Sequence, residues 1–251
     1  MDYAIELRAI SHRFGDLPVL DDVTVEAERG HFVSIVGPSG CGKSTLLRIL
    51  AGLLVPDSGT ATVNGASTIG RPGLVAYMPQ KDLLFPWRRT LANATLGAEI
   101  AGVSRHEARA RALELFPRFG LSGFERAWPA QLSGGMRQRL ALLRTFLTPR
   151  DTVLLDEPFG ALDAITRREM HRWLQEVWLD DRRTVLFVTH DVEEALTLSD
   201  EVYVMTRRPG RVRARVAVPF DRPRGAELVA DEKFVQLKAR LLAELDAGMR
   251  E

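Results

Sequence analysis

The sequence holds very little cysteine, little lysine, almost no net charge and no long apolar run. Its single cysteine, Cys41, excludes an intrachain disulfide and fits a reducing compartment. The 34 Lys and Arg residues are balanced by 33 Asp and Glu, a formal net charge of +1 that excludes a globally basic nucleic-acid binder. Hydrophobic residues at 45% and charged residues at 27% exclude a disordered chain, which needs low hydrophobicity and high net charge. The longest apolar stretch, Ile49 to Val55, falls far short of the roughly 18 residues of a membrane-spanning helix. The N-terminus Met-Asp-Tyr-Ala-Ile-Glu-Leu has neither a basic n-region nor an apolar h-region, so no secretory signal is expected. These absences describe a soluble, nearly neutral, cytosolic protein whose 251 residues make one to two domains at roughly 150 each.

Only four of the 34 basic residues are lysines: Lys43, Lys81, Lys233 and Lys238. Scattered surface arginines tolerate such drift in composition. Lys43 therefore stands out as a place where a compact ammonium is needed.

What the chain does contain is alternation. Phe32–Val36, Leu74–Met78, Val153–Leu155, Val185–Val188 and Val202–Met205 read as strands. The middle ones are continuous apolar runs, as in strands buried on both faces of a parallel sheet. Between them lie helical patterns. Ser44–Leu54 carries apolar residues at helical spacing. Ser104 to Glu107 is a capping-box sequence, followed by Ala108, Ala112, Leu115, Phe116 and Phe119 on one face. Ser133 precedes a stripe of Met136, Leu140, Leu143 and Leu147. Asp163, and Asp191 with Glu194, open two more helices. Strands alternating with helices predict an α/β architecture. The first 30 residues and 58–65 read as antiparallel strands. Residues 85–150 show helices and no clear strand, so they read as a helical insertion. Seven arginines and one acid, Asp221, lie between Arg207 and Arg224. A solvated strand-and-loop surface is the simple reading of that stretch, and a contact with anionic lipid headgroups the sharper one.

Gly37-Pro38-Ser39-Gly40-Cys41-Gly42-Lys43-Ser44 matches the phosphate-binding P-loop pattern, between a strand and a helix as that motif requires. Glycines let the backbone turn its N–H groups onto phosphate oxygens, and the helix start adds its dipole. Lys43 reaches the β- and γ-phosphates, and Ser44 gives an oxygen to Mg²⁺. Cys41 sits between a helix N-terminus and Lys43, both of which depress a thiol pKa. Cys41 reads first as a small filler with no role in turnover; a thiol-alkylating reagent is still expected to inhibit, and MgATP to protect. The apolar strand ending in Asp156-Glu157 supplies Asp156 to Mg²⁺. Glu157 can take a proton from water attacking the γ-phosphate.

Leu132-Ser133-Gly134-Gly135-Met136-Arg137-Gln138-Arg139 resembles the signature of the ATP-binding cassette (ABC) ATPases. Gln80, Ala161-Leu162-Asp163 and Thr189-His190-Asp191 fall in that family's order, so the resemblance runs over nearly the whole chain. It implies a P-loop NTPase of RecA-like type: a parallel-sheet core, an antiparallel β subdomain and a helical insertion. On this reading residues 1–84 and 151–220 form the ATP-binding core with its β subdomain, 85–150 the helical subdomain and 221–251 a C-terminal tail helix.

The resemblance implies a head-to-tail homodimer with ATP and Mg²⁺ at the interface. Each nucleotide lies between one subunit's P-loop, Gly37 through Ser44 and Thr45, and the other's Ser133, Gly134 and Gly135. It places Phe14 on adenine, Gln80 on Mg²⁺ and the water, His190 on the γ-phosphate and Asp163 on the other subunit. Gly160 stands where the family usually has serine. Leu83-Leu84-Phe85-Pro86-Trp87-Arg88, Glu157 to Asp163, and Arg207 to Val212 look like the importer ATPases of the nitrate, sulfonate and taurine group, which includes importers of thiamine-precursor pyrimidines. The chain ends soon after, without the extra regulatory domain of the sugar-importer kind. The implied partners are transmembrane permease subunits and, indirectly, a periplasmic solute-binding protein. The implied location is peripheral, on the cytoplasmic face of the inner membrane. Two alternatives are an exporter or lipoprotein-extractor ATPase, and a soluble ABC ATPase of DNA repair or translation. The latter usually carries coiled coils, zinc cysteines or two cassettes, none of which is seen here.

Overall fold

The computed structural model describes residues 2–250. Its elements in chain order are β1 (Tyr3–Phe14), β2 (Leu17–Glu28), β3 (Phe32–Val36), α1 (Lys43–Leu50), β4 (Ser58–Val63), β5 (Ala66–Ser67) and β6 (Ala76–Met78). Then come α2 (Thr90–Ile100), α3 (Arg105–Leu115), α4 (Gly134–Leu147), β7 (Thr152–Asp156), α5 (Ala164–Asp181) and β8 (Thr184–Thr189). The chain closes with α6 (Val192–Leu198), β9 (Glu201–Met205), β10 (Val212–Ala217) and α7 (Glu232–Arg250).

Two sheets carry the fold. β2-β1-β4-β5 is antiparallel. The other runs β10-β9-β3-β8-β7-β6, parallel except for β10. Every residue of β3, β7 and β8 is buried, as their mostly apolar sequences without alternation suggest. The antiparallel sheet, α1 and one face of the parallel sheet share a core around Ile35, Leu47, Leu154 and Tyr203. The opposite face packs under the helical layer, where Phe119 and Phe146 set their edges against Trp173 at 4.2 and 5.2 Å between centroids. A third core joins α6 and α7 to β9 and β10 around Phe234.

The predicted helix over 44–54 is shorter, ending at Leu50. Gly52 (φ 75°) donates to Ile49 O at 3.0 Å, and Leu53 N to Arg48 O at 2.9 Å. This is a Schellman close, and it needs glycine at that left-handed position. The predicted strand over 74–78 contracts to Ala76–Met78, the stretch paired with β7.

The basic stretch 207–224 is largely the solvated strand-and-loop surface expected, with Arg207, Arg208, Arg211, Arg213 and Arg215 exposed. Arg211 pairs with Asp21, Arg213 with Glu244 at 2.8 Å, Arg215 with Glu201 at 2.8 Å and Arg222 with Asp200 at 2.9 Å. Arg224 is buried and donates to the carbonyls of Leu196, Ser199 and Phe220 at 2.6 to 2.8 Å. Burial lowers its pKa to about 10. The acids that pair with these arginines all lie outside the run, so the run alone did not show them.

Candidate functional site: a phosphate loop beside a polarised carboxylate

β3 delivers the chain to Gly37, and α1 begins at Lys43 with no side-chain cap, so its first N–H groups are left for an anion. Gly40 (φ 77°) and Gly42 (φ 109°) adopt backbone that other residues resist. A Cβ on Gly42 would also stand 2.6 Å from Leu20. Lys43 folds back and donates through Nζ to the carbonyls of Gly37 at 2.7 Å and Pro38 at 2.9 Å. Ser39, Gly40 and Ser44 are exposed, Pro38 and Thr45 half-buried.

Cys41 departs from the expectation. Its side chain is buried, and desolvation outweighs the nearby Lys43, 3.9 Å from Sγ, so its pKa is raised. It is the small packing residue of the simpler reading, and the depressed thiol pKa expected from its neighbours is corrected. The cause is tertiary. Gly210, in the β9–β10 turn, presses on the Cys41 carbonyl so closely that a Cβ there would lie 2.1 Å from that oxygen. Gly210 is itself fixed, donating to Val19 O at 2.8 Å and accepting from Asp21 N at 3.1 Å.

Four loops at the C-terminal ends of β3, β6, β7 and β8 meet here. Ser44 Oγ donates to Asp156 Oδ1 at 3.1 Å. Burial raises the Asp156 pKa; the Ser44 hydrogen bond opposes this and the Glu157 charge adds to it. Glu157 Oε2 accepts from Gln80 Nε2 at 3.2 Å and lies 3.4 Å from His190 Nδ1. Glu157 holds φ 48°, a strained value for a side chain with a Cβ.

Asp156, Glu157, Gln80 and His190 thus converge beside the phosphate loop. Ser133 caps α4 by accepting from Met136 N at 3.2 Å. Gly134 lines one cavity of about 540 Å³ with Gln80, Glu157 and His190. A Cβ on Gly134 meets nothing closer than 3.9 Å, so the helix start is open. Gly135 is tighter, 3.3 Å from Leu162. Asp163 caps α5 and is exposed. Hydrogen bonds from the Thr166 backbone and hydroxyl lower its pKa. Phe14 stands apart at the β1–β2 turn, 45% exposed, with only the edge of His12 against its ring.

Three residues that sequence reasoning passed over complete the site. Gln138 bridges α4 to the loop after β7, donating to Glu157 O at 3.1 Å and accepting from Ala161 N at 2.9 Å. Arg144 donates to Asp82 O at 2.7 Å and Leu83 O at 2.9 Å, and Arg137 pairs with Asp82 at 3.1 Å. Together they fasten the segment after Gln80. The apolar stripe on α4 was legible, whereas its polar face gave no sign of where it points.

A phosphate loop on a parallel sheet, with a strand-end carboxylate bonded to its serine, defines a P-loop NTPase. The ABC transporter family's sequence profile matches residues 20–160, and the chain belongs to that family as an ATP-hydrolysing subunit. It is 49% identical to the aliphatic sulfonates import ATP-binding protein SsuB 1 of Rhodococcus jostii, over 88% of this chain and 85% of that one. It is 43% identical to the formylaminopyrimidine import ATP-binding protein ThiZ of Halalkalibacterium halodurans, over 92% and 89%. It is 44% identical to the taurine import ATP-binding protein TauB of Rhizobium johnstonii, over 90% and 88%. Among solved structures, a dimeric bacterial ABC transporter cassette superposes with a TM-score of 0.77 at 28% identity, covering 86% of this chain and all of that one. A dimeric post-hydrolysis cassette bound to ADP and Pi matches equally.

Proposed function

We propose that two copies of this chain pair head to tail and hold two MgATP between them, and that closure and reopening of the pair drive a separate permease. The cargo class is a small sulfonate, taurine-like solute or thiamine-precursor pyrimidine, by likeness to the relatives above. The observation that carries the reading is the convergence of Gln80 and His190 on one oxygen of Glu157, beside the Ser44–Asp156 pair.

Glu157 is the general base, accepting the proton of the attacking water at Oε2. Gln80 and His190 orient that oxygen. Lys43 leaves its loop carbonyls for the phosphates. Ser133, Gly134 and Gly135 offer the open α4 start to the partner's nucleotide, Phe14 its ring face to adenine, and Asp163 its exposed position to the other subunit. Among the described residues no three His, Cys, Asp or Glu side chains form a metal cage. The Ser44 hydroxyl and Asp156 carboxylate are hard oxygens, the donor set that suits Mg²⁺ shared with phosphates and water. Bound there with Gln80 near, Mg²⁺ would neutralise developing phosphate charge.

Among the described residues no helix is long and apolar enough to cross a membrane. An apolar groove of about 460 Å³ lies between core and helical layer, lined by Leu53, Tyr77, Pro79, Leu83, Phe85 and Ile100. It suits a short helix of the permease, which would hold the chain at the cytoplasmic face of the membrane. The division into a core (1–84 and 151–220), a helical subdomain (85–150) and a tail (221–251) belongs to the same reading.

Glu157→Gln tests it. Hydrolysis should fall by about 10²–10⁴ while ATP binding survives and an ATP-bound dimer accumulates on size exclusion. Hydrolysis near the unmodified rate would overturn the assignment.

A further inference from the structure

A cavity of about 970 Å³ lies away from the nucleotide site. It opens on the helical layer, between α2, the start of α3 and the 123–126 loop. Arg88, Arg89, Arg105, Arg109 and Arg126 line it, against only Glu99 and Glu125. Both acids are already engaged. Glu99 accepts from Thr95 at 2.6 Å and faces Arg88 at 3.5 Å and Arg105 at 3.8 Å. Glu125 accepts from Gly123 N at 2.9 Å. Arg89 donates to the Arg126 carbonyl and stacks on Trp128 at 4.4 Å. Arg109 and Arg126 have no carboxylate partner among the described residues.

This excess of positive charge is unlike the rest of the chain. Arginines of 211–222 find acids one for one, and the whole protein carries only +1. Arg105 and Arg109 stand one turn apart on α3, a like-charge spacing that destabilises a helix unless an anion sits between. The floor is apolar, made by Leu91, Ala92 and Leu113.

We propose that this cavity is a binding site for a phosphate ester with a short apolar portion. Guanidinium forks match phosphate oxygens in pairs, and the Leu91–Leu113 floor takes the organic part. The volume falls in the range of small-molecule sites, roughly 300–1,000 Å³. The same chemistry describes a free phosphomonoester and a phospholipid headgroup.

Trp128, under Arg89, reports occupancy. The full chain is titrated with butyl phosphate in one arm. In the other it meets phosphatidylcholine vesicles with or without phosphatidylglycerol. Trp128 fluorescence is read, with Trp128→Phe as the blank. Saturable binding in one arm identifies the source. The double variant Arg109→Ala/Arg126→Ala should weaken it at least about tenfold, as charge-assisted hydrogen bonds are lost. An Arg118→Ala/Arg240→Ala pair, which removes equal charge elsewhere, should bind as the unmodified chain does. No saturable signal in either arm, or equal weakening by both pairs, overturns the proposal. Binding is read directly, so failure here leaves the ATPase reading intact.

Discussion

Gly210→Ala is the sharpest test of how the phosphate loop is supported. The added Cβ would meet Cys41 O at 2.1 Å and Met205 Cε at 2.7 Å. The methionine end can swing aside, but the carbonyl is backbone. Ordinary carbon–oxygen contacts begin near about 3.3 Å, so one backbone must yield by more than about 1 Å. Gly210 is held by its bonds to Val19 and Asp21, which leaves the loop carrying Cys41 to move. Overpacking of this kind costs about 1–3 kcal/mol. In a chain this size that lowers Tm by roughly 2–12 °C. If the loop takes the whole displacement, ATP affinity falls by about 5- to 150-fold, the same energy expressed as binding. Thermal unfolding by circular dichroism reads the first effect, and equilibrium titration with a fluorescent ATP analogue the second. A variant with unchanged Tm and unchanged ATP affinity would refute the claim that the β9–β10 turn props the phosphate loop.

The remaining predictions concern charge, anchoring and the thiol. The folded-state pKa of Asp156 is raised, so the folded state binds the proton better and stability is lost as pH rises from the unfolded pKa through the folded one. Asp156→Asn should therefore raise Tm at neutral pH without Mg²⁺, flatten the acid-side pH dependence and abolish Mg²⁺-dependent hydrolysis; an unchanged melting profile would count against it. Arg144→Met strips the donors from Asp82 O and Leu83 O, so kcat should fall by about 10- to 100-fold through misplacement of the Gln80 segment, with ATP affinity held. A normal kcat would show that anchor to be idle. Cys41 should react with a thiol dye at least about 100-fold more slowly in the native chain than in denaturant, with or without MgATP. Fast native labelling would contradict its burial.

Much of the site was legible because its parts are short and local. A phosphate loop, an Asp-Glu at a strand end and a serine before two glycines each carry their reason within a few residues. The α/β class was legible for a similar reason: fully buried strands leave no alternation, and helix stripes do. What stayed hidden depends on contacts between distant segments. Nothing near Cys41 shows that Met205 and Gly210 will cover it. Nothing near Arg215 or Arg222 names Glu201 or Asp200. Gln138 sits between two arginines and Arg144 among apolar helix residues, and only the assembled layer shows which loop each one holds. The early stop of α1 was available in advance, since Gly52 carries it.

The order of strands in the parallel sheet bears on how the protein is made. β3, which launches the phosphate loop, pairs with β8 on one side and β9 on the other. Both lie some 150 residues further along the chain. During synthesis both edges of β3 therefore stay unpaired until residues 184–205 leave the ribosome. A product truncated before β8 would hold every residue of the phosphate loop yet lack the two strands that flank β3.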